Sequence, residues 1–227
     1  MRVMLKAEHS PILQRVFDRY VLGLLRRRFH AVRLCGEWGA LEREETYPLV
    51  LYANHESWWD GFLLLPLTIK FGQNYRLMME EINLRRYWFF RKAGVFGVDL
   101  ESAAGRSASL LHAARLLREP VARRTLILFP QGRLCSPYES FPVFRDGVSA
   151  LARLAGGGAM PVGIRIVHGR YPRPEAFLEA GPVLRASSAP DKEALHAALR
   201  AALERLERRH AESDWTGALD LIPPRGE

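Results

Sequence analysis

The 227-residue chain is 48% hydrophobic, which suffices for one sizeable core and falls short of two independent ones. Its 33 Lys and Arg exceed its 25 Asp and Glu to give a net charge of +8, so a phosphate-bearing partner is expected, whether nucleic acid, an anionic membrane or a phosphorylated small molecule. The two cysteines, Cys35 and Cys135, have no partner motif, which argues against a disulfide framework and a zinc site and makes a reducing, cytosolic compartment the default.

In chain order, the opening residues MRVMLKAEHSP lack the apolar core of a signal peptide. Nowhere does the sequence reach the roughly 18 consecutive apolar residues of a spanning helix, so neither export nor a membrane crossing is expected. Ser10–Phe29 repeats apolar side chains in pairs, Ile12/Leu13, Val16/Phe17, Tyr20/Val21 and Leu24/Leu25. That is a helical stripe of near-3.6 period, with Ser10 as N-cap and Pro11 as first helical residue. Arg15, Arg19, Arg26, Arg27 and Arg28 occupy the opposite face and the end of this helix. Cations edging an apolar stripe suit a bilayer surface; the same pattern suits an ordinary helix docked on a core with its arginines solvated.

Beyond this helix, short Val-, Ile- and Leu-rich runs alternate with helical patterns, the mark of an α/β chain. Strands are predicted at Pro48–Ala53, Tyr75–Met79, Gly94–Leu100, Thr125–Phe129, Ala159–Val167 and Ala176–Leu184. Helices are predicted at Asp60–Phe71, Leu84–Ala93, Arg106–Arg118, Phe144–Leu154 and, most regular of all, Asp191–Glu212 behind Pro190. The ending DLIPPRGE reads as frayed. The expected architecture is a single α/β domain with a central mixed, mostly parallel sheet flanked by helices. Its parts are an amphipathic N-terminal region over 1–47, a core over 48–190, and a C-terminal helix and tail over 191–227.

The segment NHESWWDG, residues 54–61, leaves the predicted Pro48–Ala53 strand at the sheet edge where α/β proteins place reactive groups. His55 and Asp60 would stand on separate faces of one continuous helix, because each residue advances about 100°. They meet only if His55 precedes the helix and Asp60 lies in its first turn. With Ser57 as N-cap, SWWD fits a capping-box pattern in which Asp replaces the usual Glu or Gln. The carboxylate can then accept a hydrogen bond from one imidazole nitrogen and leave the other free as a base. A structural histidine and a helix-capping aspartate form the alternative reading. No metal is indicated, since His55, Glu56 and Asp60 offer one nitrogen ligand and no paired His or Cys. Trp58 and Trp59 read as core or lipid-contact aromatics.

NHESWWD resembles the N-H-x-x-x-x-D block of the glycerolipid acyltransferases, the family of lysophosphatidate and glycerol-3-phosphate acyltransferases. Further blocks follow in that family's order. LFPQGR, Leu128–Arg133, is similar to F-P-E-G-T-R; FRDG, Phe144–Gly147, to F-K-x-G; and AMPVGI, Ala159–Ile164, to the V-P-V strand. The resemblance implies transfer of a fatty acyl group, from acyl-CoA or acyl carrier protein as co-substrate and without a cofactor, to a hydroxyl of a lysophospholipid-like acceptor in phospholipid biosynthesis. It implies His55 as general base and Asp60 as the carboxylate that orients it. Asn54, Ser57, Phe129, Pro130, Pro161 and Val162 would support the motif, and Gln131, Gly132, Arg133 and Arg106 would bind the acceptor. A covalent intermediate is not required, which suits the lack of a nucleophile elbow, and Cys135 reads as a buried small residue. With both substrates lipidic, the resemblance also favours the membrane reading of Ser10–Phe29 and a peripheral seat on the cytoplasmic face.

Two positions depart from the family pattern. Gln131 stands where Glu is usual, and Leu100 stands where the segment FGVDLES aligns with one that commonly ends in Arg. Losing one bidentate contact costs about 1.5–3 kcal/mol, enough to bring non-phosphate acceptors such as a glycolipid or a glycosylated terpenoid into play, although Arg133, Arg106 and Arg145 still gather near the site. Two further readings are a thioesterase or lipid hydrolase, with water replacing the acceptor, and a nucleic-acid-binding module. The last rests on the net charge and on RRYWFFRK, Arg85–Lys92, and has no nucleic-acid fingerprint to support it.

Overall fold

The computed structural model describes residues 5–139, 144–185, 187 and 190–224; the last three residues of the expected frayed tail lie outside that set. Helix α1 (Pro11–Arg28) starts where Ser10 Oγ accepts from Leu13 N and Pro11 fills the first position. Strand β1 (Ala31–Gly36) leads through two 3-10 turns, Trp38–Glu42 and Glu44–Thr46, into β2 (Leu49–Ala53). Then come α2 (Asp60–Lys70), β3 (Asn74–Glu80), α3 (Glu81–Arg86), a 3-10 turn at Trp88–Ala93, and β4 (Val95–Val98). Helix α4 (Ala103–Leu117), β5 (Arg124–Leu128), α5 (Gly147–Ala155) and β6 (Gly158–Val167) follow. The chain closes with β7 (Glu175–Ala180), β8 (Leu184–Arg185), α6 (Lys192–Glu212) and β9 (Leu219–Ile222).

Among the described residues nine strands join one mixed sheet, ordered β4-β3-β5-β2-β6-β7-β1-β9 with β8 on β6. The block from β4 to β6 is parallel, and β6 meets β7 antiparallel. Strand β2 lies in the middle and is buried on both faces, as a central parallel strand must be. Leu49, Leu51 and Ala53 join the core under α1 and α2, while Val50 and Tyr52 join the core under α4, α5 and α6.

Both flanking regions belong to this sheet. Strand β1, within 1–47, pairs parallel with β7, and β9, within 191–227, pairs antiparallel with β1. Within the DLIPPRGE ending, residues 220–222 therefore belong to the sheet edge, and Ile222 is buried under α1 and α2; three register pairs between β9 and β1 and that core side chain hold it. The predicted Leu84–Ala93 helix is instead α3 plus a 3-10 turn ended by Gly94 at φ +86°. Helix α5 starts at Gly147 rather than Phe144, because Arg145 N donates to Pro130 O and holds that stretch outside the helix.

The apolar stripe of α1 divides. Phe17 packs against the core, and Val21 and Leu25 are fully buried. Ile12, Leu13, Val16 and Tyr20 face outward, Ile12 being 72% exposed. Arg15, Arg19, Arg26, Arg27 and Arg28 are all exposed. A helix that sheltered its whole stripe would show one apolar face; α1 shows two adjoining ones.

Candidate active site

At the carboxyl end of β2 the chain turns sharply, and Asn54 fixes the turn. Its buried side chain donates to Ile164 O (3.0 Å) and accepts from Ile164 N (2.8 Å), prolonging the β2–β6 ladder by one pair in side-chain form. Pro161 and Val162 lie in that same ladder, opposite Tyr52 and Ala53. His55 then precedes α2, and Asp60 opens it.

Asp60 is 2% exposed, a burial that an isolated carboxylate would not tolerate. Its Oδ2 accepts from His55 Nδ1 (3.0 Å), Glu56 N (2.7 Å) and Ser57 N (2.8 Å), and the amino end of α2 adds a favourable dipole. Ser57 is not the N-cap, as the capping box would have it. Its hydroxyl accepts from Trp59 N (3.1 Å), and the helix begins three residues later. The carboxylate therefore supplies only the back-reaching half of a capping box, and its oxygen is shared with the imidazole.

The ring of His55 stacks on Phe129 at 4.1 Å between centroids, and Cys135 N donates to His55 O (2.8 Å). With Nδ1 committed to Asp60, Nε2 is the nitrogen without a protein partner among the described residues. Glu56, inside the same turn, meets Arg165 Nη1 at 2.7 Å, and Arg165 Nη2 meets Glu207 at 2.8 Å. Burial raises the Glu56 carboxyl above the usual glutamate range, and the Arg165 guanidinium opposes that rise.

His55 lines a cavity of about 1090 Å³. One limb lies on the α1/α2 side and is apolar, with Phe17, Gly61, Phe62, Leu65, Leu77 and Phe90. On this side Tyr75, another lining residue, donates to Asp18 Oδ1 (2.7 Å) and ties β3 to α1. The other limb lies on the α4/α5 side, where Leu110, Leu128, Val148 and Leu151 accompany Arg106, Arg133 and Arg145; Phe129, itself packed against the α1/α2 core, and Leu100, Pro130 and Gly132 also line the cavity. The candidate residues Gly132, Arg133, Arg106, Phe129 and Pro130 thus share one cavity with His55. Gln131 is the exception: it is absent from the lining, and its side chain is buried with Oε1 unpartnered among the described residues. The Phe129–Gly132 turn, closed by Gly132 N donating to Phe129 O (3.1 Å), puts its neighbours into the cavity and Gln131 into the protein.

Tyr87, Phe89 and Phe90 of RRYWFFRK pack on one another, and Tyr87 packs on Trp58. Trp58 and Tyr87 lie 5.2 Å apart, Phe89 and Phe90 4.5 Å, and Phe17 and Phe90 5.6 Å. Trp59 packs edge-on against Phe29. Asn54–Ile164 and Glu56–Arg165 lie outside what sequence reasoning reached, because each pair spans more than a hundred residues. The apolar limb had a local signal in the alternation of Tyr75, Leu77 and Met79 along β3. Cys35 and Cys135 are both buried and free, and no group of three or more His, Cys, Asp or Glu among the described residues could hold a metal ion.

The family model described as Acyltransferase matches residues 39–165. The crystal structure of the 1-acyl-sn-glycerophosphate (LPA) acyltransferase PlsC from Thermotoga maritima superposes with a TM-score of 0.57 at 19% identity, over 89% of this chain and 84% of that one. No curated protein matches by sequence.

Proposed function

This chain belongs to the acyltransferase family, and we propose on that premise that it moves a fatty acyl group from acyl-CoA or acyl carrier protein to a hydroxyl of a lysophospholipid-like acceptor. His55 is the general base and Asp60 its orienting carboxylate. The observation that carries this reading is the 3.0 Å contact from Asp60 Oδ2 to His55 Nδ1, beside a large apolar cavity.

An alcohol is a weak nucleophile at neutral pH, and a positioned base that takes its proton as the bond forms accelerates attack by about 10²–10⁴-fold. Nε2 of His55 receives the hydroxyl proton while the oxygen attacks the thioester carbonyl. Asp60 keeps the Nδ1 proton in place and stabilises the imidazolium. Collapse of the tetrahedral adduct breaks the carbon–sulfur bond, and the proton passes from Nε2 to the departing thiolate. One ester forms, one thioester is lost, and the histidine ends as it began. The apolar limb suits the acyl chain and the cationic limb suits the polar end of the acceptor.

No described helix is long and apolar enough to cross a membrane, so a peripheral seat is proposed. Exposed Ile12, Leu13, Val16 and Tyr20 on α1 support it, as do exposed Trp58 and Phe89, which belong to the aromatic group that reaches α1 through Phe17, and exposed Trp88 beside Phe89 in the chain. The α1 arginines would meet lipid phosphates at the edge of this face.

Mass spectrometry of products from one labelled acyl-CoA and a panel of lysolipids and glycolipids tests the reading. The wild type is expected to form an acylated acceptor, and His55→Ala to lose about 10²–10⁴-fold of that rate. Asp60→Asn should lower kcat by about 10²-fold or more while leaving KM near its original value. Free fatty acid released equally with and without acceptor would replace transfer by hydrolysis.

A further inference from the structure

Three guanidinium groups line the cationic limb, and their partners divide them. Arg106 Nη1 is held by the carbonyls of Leu100 (3.0 Å) and Glu101 (3.4 Å). Arg133 is clasped by Glu139, with Nη2 to Oε2 at 2.7 Å, and Nη1 also donates to Leu134 O (3.3 Å). The same carboxylate accepts from Ser136 N through Oε1 (3.0 Å), so the clasp closes the loop on itself. Glu139 already supplies the counter-charge that a ligand would bring to Arg133.

Arg145 differs from both. It lines the cavity, yet among the described residues its guanidinium has no hydrogen bond and no ion pair. Its place is nonetheless fixed from two sides. Its backbone N donates to Pro130 O (3.0 Å), one residue beyond the Phe129 ring that stacks on His55. Its side chain crosses Gly132, where a Cβ would stand 2.7 Å from Arg145 Nε. Gly132 also has φ +69°, so the turn both demands glycine and leaves the room through which the guanidinium passes.

We propose that Arg145, not Arg133, is the phosphate-binding residue of this site. The proposal rests on the acyl-transfer reading and deepens it. A guanidinium with its fork unspent matches a phosphate bidentately, and phosphate is the anion both substrates can bring, as the acceptor's headgroup or as coenzyme A. The arginine missing at position 100 is thereby replaced from α5's side of the cavity rather than from Arg106.

Steady-state kinetics of the full-length chain in detergent micelles test this, with a lysophosphatidate set against the monoacylglycerol that lacks its phosphate. A second pair, acyl-CoA against acyl-pantetheine, separates the two phosphate sources. Arg145→Met is expected to raise KM for the phosphate-bearing member of one pair by about 10- to 100-fold. Its partner without phosphate should be unaffected, and kcat should change less than KM. Arg145→Lys should recover part of the loss, and Gly132→Ala, which pushes the guanidinium aside, should reproduce it. The pair that responds names the source of the phosphate. Equal losses on both members of each pair, or a selective loss carried by Arg133→Met instead, would overturn the proposal.

Thermal-shift titration with glycerol 3-phosphate against glycerol reads Arg145 without catalysis. Should the wild type transfer to no acceptor, the functional reading fails. Stabilisation by glycerol 3-phosphate that Arg145→Met abolishes would still uphold the phosphate site, and its absence together with unaltered kinetic selectivity would sink it.

Discussion

Glu56 sits inside the turn that joins His55 to Asp60, and its state depends on a residue far along the chain. Burial raises its carboxyl pKa and Arg165 pulls it down, with burial the larger effect. A carboxyl whose folded pKa stands above its unfolded value, about 4.3 for glutamate, binds its proton more tightly when folded. Its contribution to stability is present below the unfolded pKa and is lost as pH rises through the folded one. Arg165→Met removes the opposing charge and raises the folded pKa further. That variant should lose about 1–2 kcal/mol at pH 7, the pair being partly exposed, and regain it as pH falls from 7 toward 5. Urea unfolding midpoints across that range check it, and adding Glu56→Gln should flatten the difference; a variant whose deficit is constant with pH would show that Arg165 acts only through Glu207. Nothing near residue 56 in sequence announces residue 165, and for the same reason the burial of Gln131 was not legible. Its neighbours read as a motif, but the turn that sends its side chain inward is decided by three-dimensional packing.

Helix α1 has a buried face and an adjoining exposed apolar one, the proposed membrane contact, and substitutions test the two separately. Leu25 is fully enclosed by the core, whereas Val16 is 60% exposed. Leu25→Ala should therefore cost about 2–5 kcal/mol of stability. Ile12→Glu with Val16→Glu should leave the unfolding midpoint nearly unchanged and sharply reduce co-sedimentation with anionic vesicles. Unaltered sedimentation would remove α1 from the proposed membrane contact. The periodicity that predicts this helix fixes its length to within a residue or so, but cannot say that half of the stripe stays outside, since exposed and buried leucines look alike in sequence. Strands show the converse. The runs at β2, β5 and β6 are legible because central parallel strands are apolar on both faces. Strand β1 is hidden by Arg33, whose charge is met by Glu175 (2.8 Å) on β7 and Asp220 (3.3 Å) on β9. Strand β9 is hidden by its brevity and by the same Asp220, so each becomes readable only once the other is in place.

Across the whole molecule, the parallel block brings the carboxyl ends of β2 and β5 side by side, and that shared edge is what joins His55 to Phe129 and divides the cavity into its two limbs. If the acyl chain occupies the limb between α1, α2 and β3, its depth sets the length accepted, because an apolar space admits methylenes only until its walls are reached. Gly61 stands on that wall, and a Cβ there would meet Leu77 Cδ1 at 3.8 Å, so a methyl group fits in ordinary contact while a longer side chain must extend into the space. Gly61→Leu is expected to lower kcat/KM for long-chain donors by about tenfold or more and to spare short ones, shifting the product profile downward. Competition among acyl-CoAs of graded length, read by mass spectrometry, measures the shift against wild type. A uniform loss at every length would mean that the substitution disturbs the neighbouring Asp60, and an unchanged profile would put the acyl chain on the α4/α5 side, against Leu110, Leu128, Val148 and Leu151.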